Sequence, residues 1–167
     1  GEETNCATIA TKFVNSNVDL IMANATQAVI SSATATSDIP IVGTSVTDYV
    51  TTGTVKSNDA PGGNVTGTSD LAPIDQQVEL LQKLVPDAKN VGILYCSAEA
   101  NSQYQIDVIK EELEKLNYTC TAYSFVDSND IASVVQSAVN DNDVLYVPTD
   151  NTAASNTEVI NNLSLIH

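Results

Sequence analysis

Arginine and tryptophan are absent from this sequence, histidine occurs once, at the last position, and lysine is scarce. Lys and Arg together number 6 against 21 Asp and Glu, a formal charge of −15. Nucleic-acid binding needs clustered cations to displace counterions from phosphates, so that class is excluded. An anionic membrane surface is disfavoured for the same reason. Bidentate phosphate recognition by guanidinium is impossible without arginine. Any imidazole chemistry would rest on His167, the terminal residue. Aromatic residues make up only 5% of the 167 residues, so the core must be aliphatic. No apolar run approaches the roughly 18 residues of a membrane span. The first ten residues, GEETNCATIA, lack the basic and apolar regions of a secretory leader, so none is expected there; Gly1 is given no function. Three cysteines without C-x-x-C spacing do not suggest zinc. No metal or cofactor is expected.

What is present alternates. Residues 4–16 read as a helix. VDLIMA (18–23) and IPIVG (39–43) read as strands around an Ala-rich helix over 26–36. Residues 51–70 break the pattern with four of the seven glycines and a Pro-Gly-Gly turn, around a short strand at 64–68. Alternation then resumes. A helix runs from Pro73 to Pro86, with Ile74, Val78, Leu81 and Leu84 at helical spacing; a strand covers 90–95. A second helix, over 102–116, places Ile106, Ile109, Leu113 and Leu116 on one face. A strand at 119–125, a helix capped by Ser128 or Asn129, a strand at 143–147 and a helix over 153–163 complete the chain. Such alternation means parallel sheets covered by helices. The single break makes this an α/β protein of two Rossmann-like lobes with parallel sheets: residues 1–60 as the first lobe, 61–167 as the second, hinged within 51–70. Cys96 falls at the end of one strand and Cys120 at the start of another parallel strand, at opposite edges of the sheet and too far apart for a disulfide.

Ligands of open parallel sheets bind beyond the carboxyl ends of the strands. The loops there are polar: Asn24-Ala25-Thr26-Gln27, Thr44 to Asp48, Cys96 to Ser102, and Pro148 to Thr152. Thr26, Asn101, Ser102 and Asp150 have an alternative reading as helix N-caps. Asp48 has one as a turn residue, and Glu99 as a solvated loop carboxylate. Tyr49, Tyr95 and Tyr104 are the aromatics near strand ends. No G-x-S-x-G elbow, P-loop or G-x-G-x-x-G occurs, and Cys96 has no base to activate it, so no enzyme is expected.

Three segments, GGNVTGTSDLAPIDQQVELLQKLVPDAKNVGILY, SAEANSQYQ and VLYVPTDNT, together resemble one family; VDLIMANATQAV and IPIVGTSVTDYV fit it in the same order. It is the ABC-transporter substrate-binding proteins of the tryptophan/tyrosine type, with the type I periplasmic-binding-protein fold. The resemblance covers roughly residues 10–155. The pairing of E-A-N-S with P-T-D-N-T about fifty residues later is its specific part. It implies an extracytoplasmic solute-binding component of an ABC importer, secreted or lipid-anchored at the outer face of a bacterial cytoplasmic membrane. A small ligand, often an aromatic amino acid, is held in an interlobe cleft, and an ABC permease subunit is the partner. By position, the ligand-binding residues implied are Thr26, Gln27, Asp48, Asn101, Ser102, Asp150 and Asn151. Asp150 or Asp48 would meet an ammonium, and Ser102 with Thr26 a carboxylate. Family members are about twice this length, so the chain reads as a truncated member with uncovered strand edges, and a homo-oligomer or domain swap is a further expectation. The alternative is a single-domain α/β signalling or interaction module without a transport role, which predicts one continuous sheet.

Overall fold

The computed structural model describes residues 3–164, so His167 and Gly1 lie outside the described residues. The chain divides into two compact units, the first ending at Ala72 and the second starting at Pro73. Each has its own three-stranded parallel sheet, which overturns the reading as a single continuous sheet.

In the first unit the elements are α1 (Glu3–Asn15), β1 (Ile21–Asn24), α2 (Thr26–Ala35), β2 (Ile41–Val46) and β3 (Val65–Ser69). The strands lie in the order β1-β2-β3, all parallel. Ile21, Ala23, Val29, Ile41, Val46 and Val65 form the aliphatic core, as the scarcity of aromatics requires. The Asn64 amide donates to the carbonyls of Thr36 and Ile39 at 3.0 and 2.8 Å, tying the entry of β3 to the loop before β2.

β3 carries the one correction to the division read from sequence. It pairs with β2, Ile41 opposite Val65 and Gly43 opposite Gly67, so residues 61–72 belong to the first unit rather than the second. The register sets Gly43 and Gly67 side by side, and the Tyr49 ring lies across both, leaving no room for a Cβ at either. Tyr49 is therefore a core residue, 4% exposed, with its hydroxyl donating to Thr68 O at 3.2 Å.

The second unit comprises α3 (Ile74–Leu84), β4 (Asn90–Cys96), α4 (Ala100–Lys115), β5 (Thr119–Phe125), α5 (Ile131–Asp141), β6 (Val144–Tyr146), α6 (Asn151–Ser155) and α7 (Thr157–Ser164). The strand order is β5-β4-β6, all parallel. β4 is central, and its continuous apolar run is what a strand covered on both faces requires. Val91 and Ile93 pack with Ile106, Ile109 and Leu113 of α4 and with Ile74, Val78 and Leu81 of α3. Leu94 and Cys96 face the other way, toward Phe125, Ile131, Val135 and Ala153. The register places Val91 opposite Cys120 and Cys96 opposite Phe125, and all three cysteines are free.

Two local expectations fail. Neither Ser128 nor Asn129 caps α5; residues 127–130 form turns, with Asp127 Oδ1 accepting from Asn129 N at 2.7 Å, and the helix opens after Asp130. The final helix is two: the chain breaks at Asn156, whose amide donates to Ser128 Oγ and to Thr152 O. Among the described residues no helix is long and apolar enough to cross a membrane.

Candidate functional site

In the first unit the polar strand ends are shaped by unusual backbone. Ala25, between β1 and α2, has φ 79° and ψ 156°, a region that a side-chain-bearing residue enters at a cost of about 1–3 kcal/mol. Its N–H donates to Thr44 O at 2.9 Å, which fastens the end of β1 to β2. Ala25 has no side chain with which to cap α2, and Thr26 begins the helix rather than capping it. Thr26 is buried, and the half-buried Gln27 donates to Ser31 Oγ at 3.3 Å. Ser45, in β2, also has positive φ, at a break in the register with β3. Asp48 is a turn residue, as its alternative reading held: Oδ1 accepts from Thr51 N at 2.7 Å, and the side chain is half-buried.

In the second unit the carboxyl ends of β4 and β6 are locked together by side chains. Asp150 is the N-cap of α6, its Oδ1 accepting from Ala153 N at 2.8 Å. Its Oδ2 accepts from Cys96 N and from Ser102 Oγ, both at 2.7 Å. Asp150 is 3% exposed and Ser102 fully buried. The hydroxyl proton of Ser102 is thus already given to Asp150, and both oxygens of Asp150 already hold donors of their own unit. Capping therefore describes Asp150, while Asn101 and Ser102 lie inside the first turn of α4, whose N-cap is Glu99.

Glu99 is not a solvated loop carboxylate. Oε2 accepts from Asn151 N and Asn151 Nδ2 at 3.0 and 2.8 Å; Oε1 accepts from Thr152 N and Thr152 Oγ1, each at 2.8 Å. Burial alone would push its carboxyl up, but these donors outweigh burial and hold it below the ordinary value of 4.5. A carboxylate at the N-terminus of a helix also meets the positive end of the helix dipole. Because the folded-state value is depressed, this stabilisation is present above the ordinary carboxyl value and is lost as pH falls through it to the folded value. Glu99→Gln is therefore expected to cost about 1 kcal/mol at neutral pH. The gap should narrow in urea titrations as pH is lowered past the ordinary carboxyl value of 4.5; a gap that does not narrow on acidification, or is absent at pH 7, contradicts this role.

Asn101 completes the lock. Its amide donates to Glu99 Oε2 and to Thr149 O, at 3.3 and 3.1 Å. Gln105, buried one turn further along α4, joins the same lock. A polar residue at 101, 102 and 105 shares one helical face, and that spacing was the available signal. The motif pair E-A-N-S and P-T-D-N-T is thus one hydrogen-bonded structure built from two distant segments. Thr26, Gln27 and Asp48 lie in the first unit; Asn101, Ser102, Asp150 and Asn151 are brought together in the second, where Asn151 is exposed and Asn101 half-buried.

Beside the Pro148–Ala154 stretch a groove of about 550 Å³ opens, lined among others by Leu145, Val147, Ala154, Ile160 and Asn161.

The strand ends of each parallel sheet carry amides, hydroxyls and carboxylates, the place and the chemistry that open parallel sheets present to small ligands. The chain belongs to the ABC transporter substrate binding protein family, whose model matches residues 1–165. It is 42% identical over 156 residues to a tyrosine-binding protein of Clostridioides difficile, a match covering 93% of this chain and 45% of that one. The crystal structure of an ABC domain in complex with L-Trp from Streptococcus pneumoniae superposes with a TM-score of 0.92 at 38% identity, over 96% of this chain and 56% of that one. A conserved domain protein of Vibrio cholerae gives 0.95 at 35% identity, over 99% and 56%. The fold is that of the type I periplasmic binding proteins, and a leucine binding protein of Thermotoga maritima shares it at 19% identity with a TM-score of 0.64. The chain spans about half the length of the relatives it matches.

Proposed function

We infer that this chain binds a free amino acid, tyrosine or tryptophan foremost, as the solute-binding component of an ABC importer. The observation that carries the reading is the hydrogen-bonded pair of strand-end loops in the second unit, in a chain whose relatives are a tyrosine-binding protein and a structure holding L-Trp. In the first unit the uncapped start of α2, at Thr26 and Gln27, offers backbone N–H groups suited to a carboxylate. Asp48 keeps one oxygen outside its turn and is the better partner for an ammonium, since Asp150 is already engaged. In the second unit Asn101 and Asn151 are the polar side chains at the surface of the lock; Ser102 and Asp150 support them from within. Half-buried Tyr95 and Tyr104 remain the nearby aromatics of that unit.

Thermal unfolding with each of the twenty amino acids tests this. A ligand at about a hundred times its Kd should add roughly 2.7 kcal/mol to stability. Aromatic amino acids should give the largest shift, and Asp48→Asn should weaken binding about tenfold or more. A folded chain that no amino acid stabilises at millimolar concentration contradicts the reading. An extracytoplasmic location, a permease partner and self-association through the β1 or β6 edges belong to the same proposal. Protease accessibility in intact cells, cross-linking to a permease and light scattering, respectively, check them.

A further inference from the structure

We propose that Gln105 is a positioning residue for the loop that follows β6, fixing the presentation of Asn151 to the ligand; the inference rests on the amino-acid-binding reading above. Sheet pairing of β6 ends at Tyr146, opposite Ile93 of β4. From there to the start of α6 the chain has left the ladder, and its backbone needs other partners. Gln105 supplies them at Thr149 in both directions. Its Oε1 accepts from Thr149 N at 3.1 Å and its Nε2 donates to Thr149 O at 3.1 Å. The same Nε2 donates to Asn101 O at 3.0 Å, so the side chain is itself held by the first turn of its own helix.

The position is costly for an amide. Gln105 is 2% exposed and adjoins Ile106, which is buried in the aliphatic core, so a leucine or methionine there would be easier to bury. What the amide provides and an apolar side chain does not is a two-point hold on one peptide. The loop also lines the groove of about 550 Å³, with Pro148, Thr149, Asp150 and Asn151 on its wall. The contacts from α4 therefore set where Thr149 sits, and through it where Asp150 meets Ser102 and where Asn151 faces outward. Small displacements of such a loop change affinity without removing any group that touches the ligand.

The test compares wild type with Gln105→Met, which keeps length and loses all three hydrogen bonds, and Gln105→Glu, whose protonated form again donates and accepts. L-tyrosine and L-tryptophan are the probes, by calorimetry at a temperature where circular dichroism shows every variant fully folded. Gln105→Met is expected to bind about tenfold or more weakly. Gln105→Glu should approach wild-type affinity at acidic pH and lose it as pH rises, relative to wild type at each pH. Hydrogen exchange at the Thr149 amide should accelerate in Gln105→Met whether or not ligand is present. Wild-type affinity in Gln105→Met, or a melting point that falls while affinity stays, overturns the positioning role. Unchanged exchange at Thr149 overturns the clamp itself. If wild type binds neither amino acid, the functional reading fails and the exchange result alone still judges the clamp.

Discussion

Gly67→Ala is expected to unfold or nearly unfold the first unit. A Cβ at Gly67 would overlap the Tyr49 hydroxyl and, more seriously, the carbonyl group of Gly43 on the neighbouring strand. A ring can swing aside, but a paired backbone cannot move without breaking the β2–β3 ladder. Overpacking of this kind costs on the order of 3 kcal/mol or more, a large part of the stability of a small domain. Gly43→Ala should be milder, because the atoms it meets belong to the Tyr49 and Val29 side chains rather than to backbone. Gly63→Ala meets nothing within 4 Å and should be close to neutral. Urea denaturation followed by circular dichroism ranks the three. Equal stability of the Gly67 and Gly63 variants would contradict this account of the glycine pair.

This pair also shows where sequence reading stops. The run NVGILY announced a central strand, and Ile106, Ile109 and Leu113 announced the buried face of α4, because hydrophobic period is local information. VTGTS did not announce which sheet it joins. It is polar, sits in a glycine-rich stretch, and its place was decided by Gly43 and Tyr49, some twenty residues away in sequence. The division between units was therefore placed within the loop rather than after β3. The site shows the same limit. Its loops were legible as polar strand ends, and the pairing of E-A-N-S with P-T-D-N-T was legible as a signature. Their direction was not. Asp150 reads from sequence both as a helix N-cap and as a carboxylate for an ammonium; the cap is local information, whereas its partners Cys96 N and Ser102 lie about fifty residues upstream. Gln105 is not legible from sequence either, since a glutamine in an amphipathic helix looks like its solvent face although this one is buried.

Asp150→Ala is the second substitution expected to be severe, and it separates a structural lock from a ligand contact. Removing the carboxylate orphans Cys96 N, Ser102 Oγ and Ala153 N, groups that fold into the interior around a residue only 3% exposed. An unsatisfied buried donor costs about 1–3 kcal/mol and the lost cap about 1 more, so a total on the order of 4 kcal/mol is expected. Asp150→Asn keeps the shape but must turn its NH₂ toward one of those N–H groups, donor against donor. It should lose about 1–3 kcal/mol of stability. Ser102→Ala, which leaves an acceptor short of one donor, should cost about 1 kcal/mol. Because Ser102 bonds to Asp150, the double variant should be less damaged than the two single losses added together, by about 0.5 kcal/mol or more. Chemical denaturation measures all four. The lock is contradicted if Asp150→Ala lies within about 0.5 kcal/mol of wild type, or if the Ser102 and Asp150 effects simply add. Ligand titration of Asp150→Asn, at a temperature where it is fully folded, then decides its second role. Since the carboxylate already holds three donors, affinity should fall only as far as the loop shifts. A loss of several hundredfold without disturbance of the loop would instead make Asp150 the direct partner of the ligand ammonium.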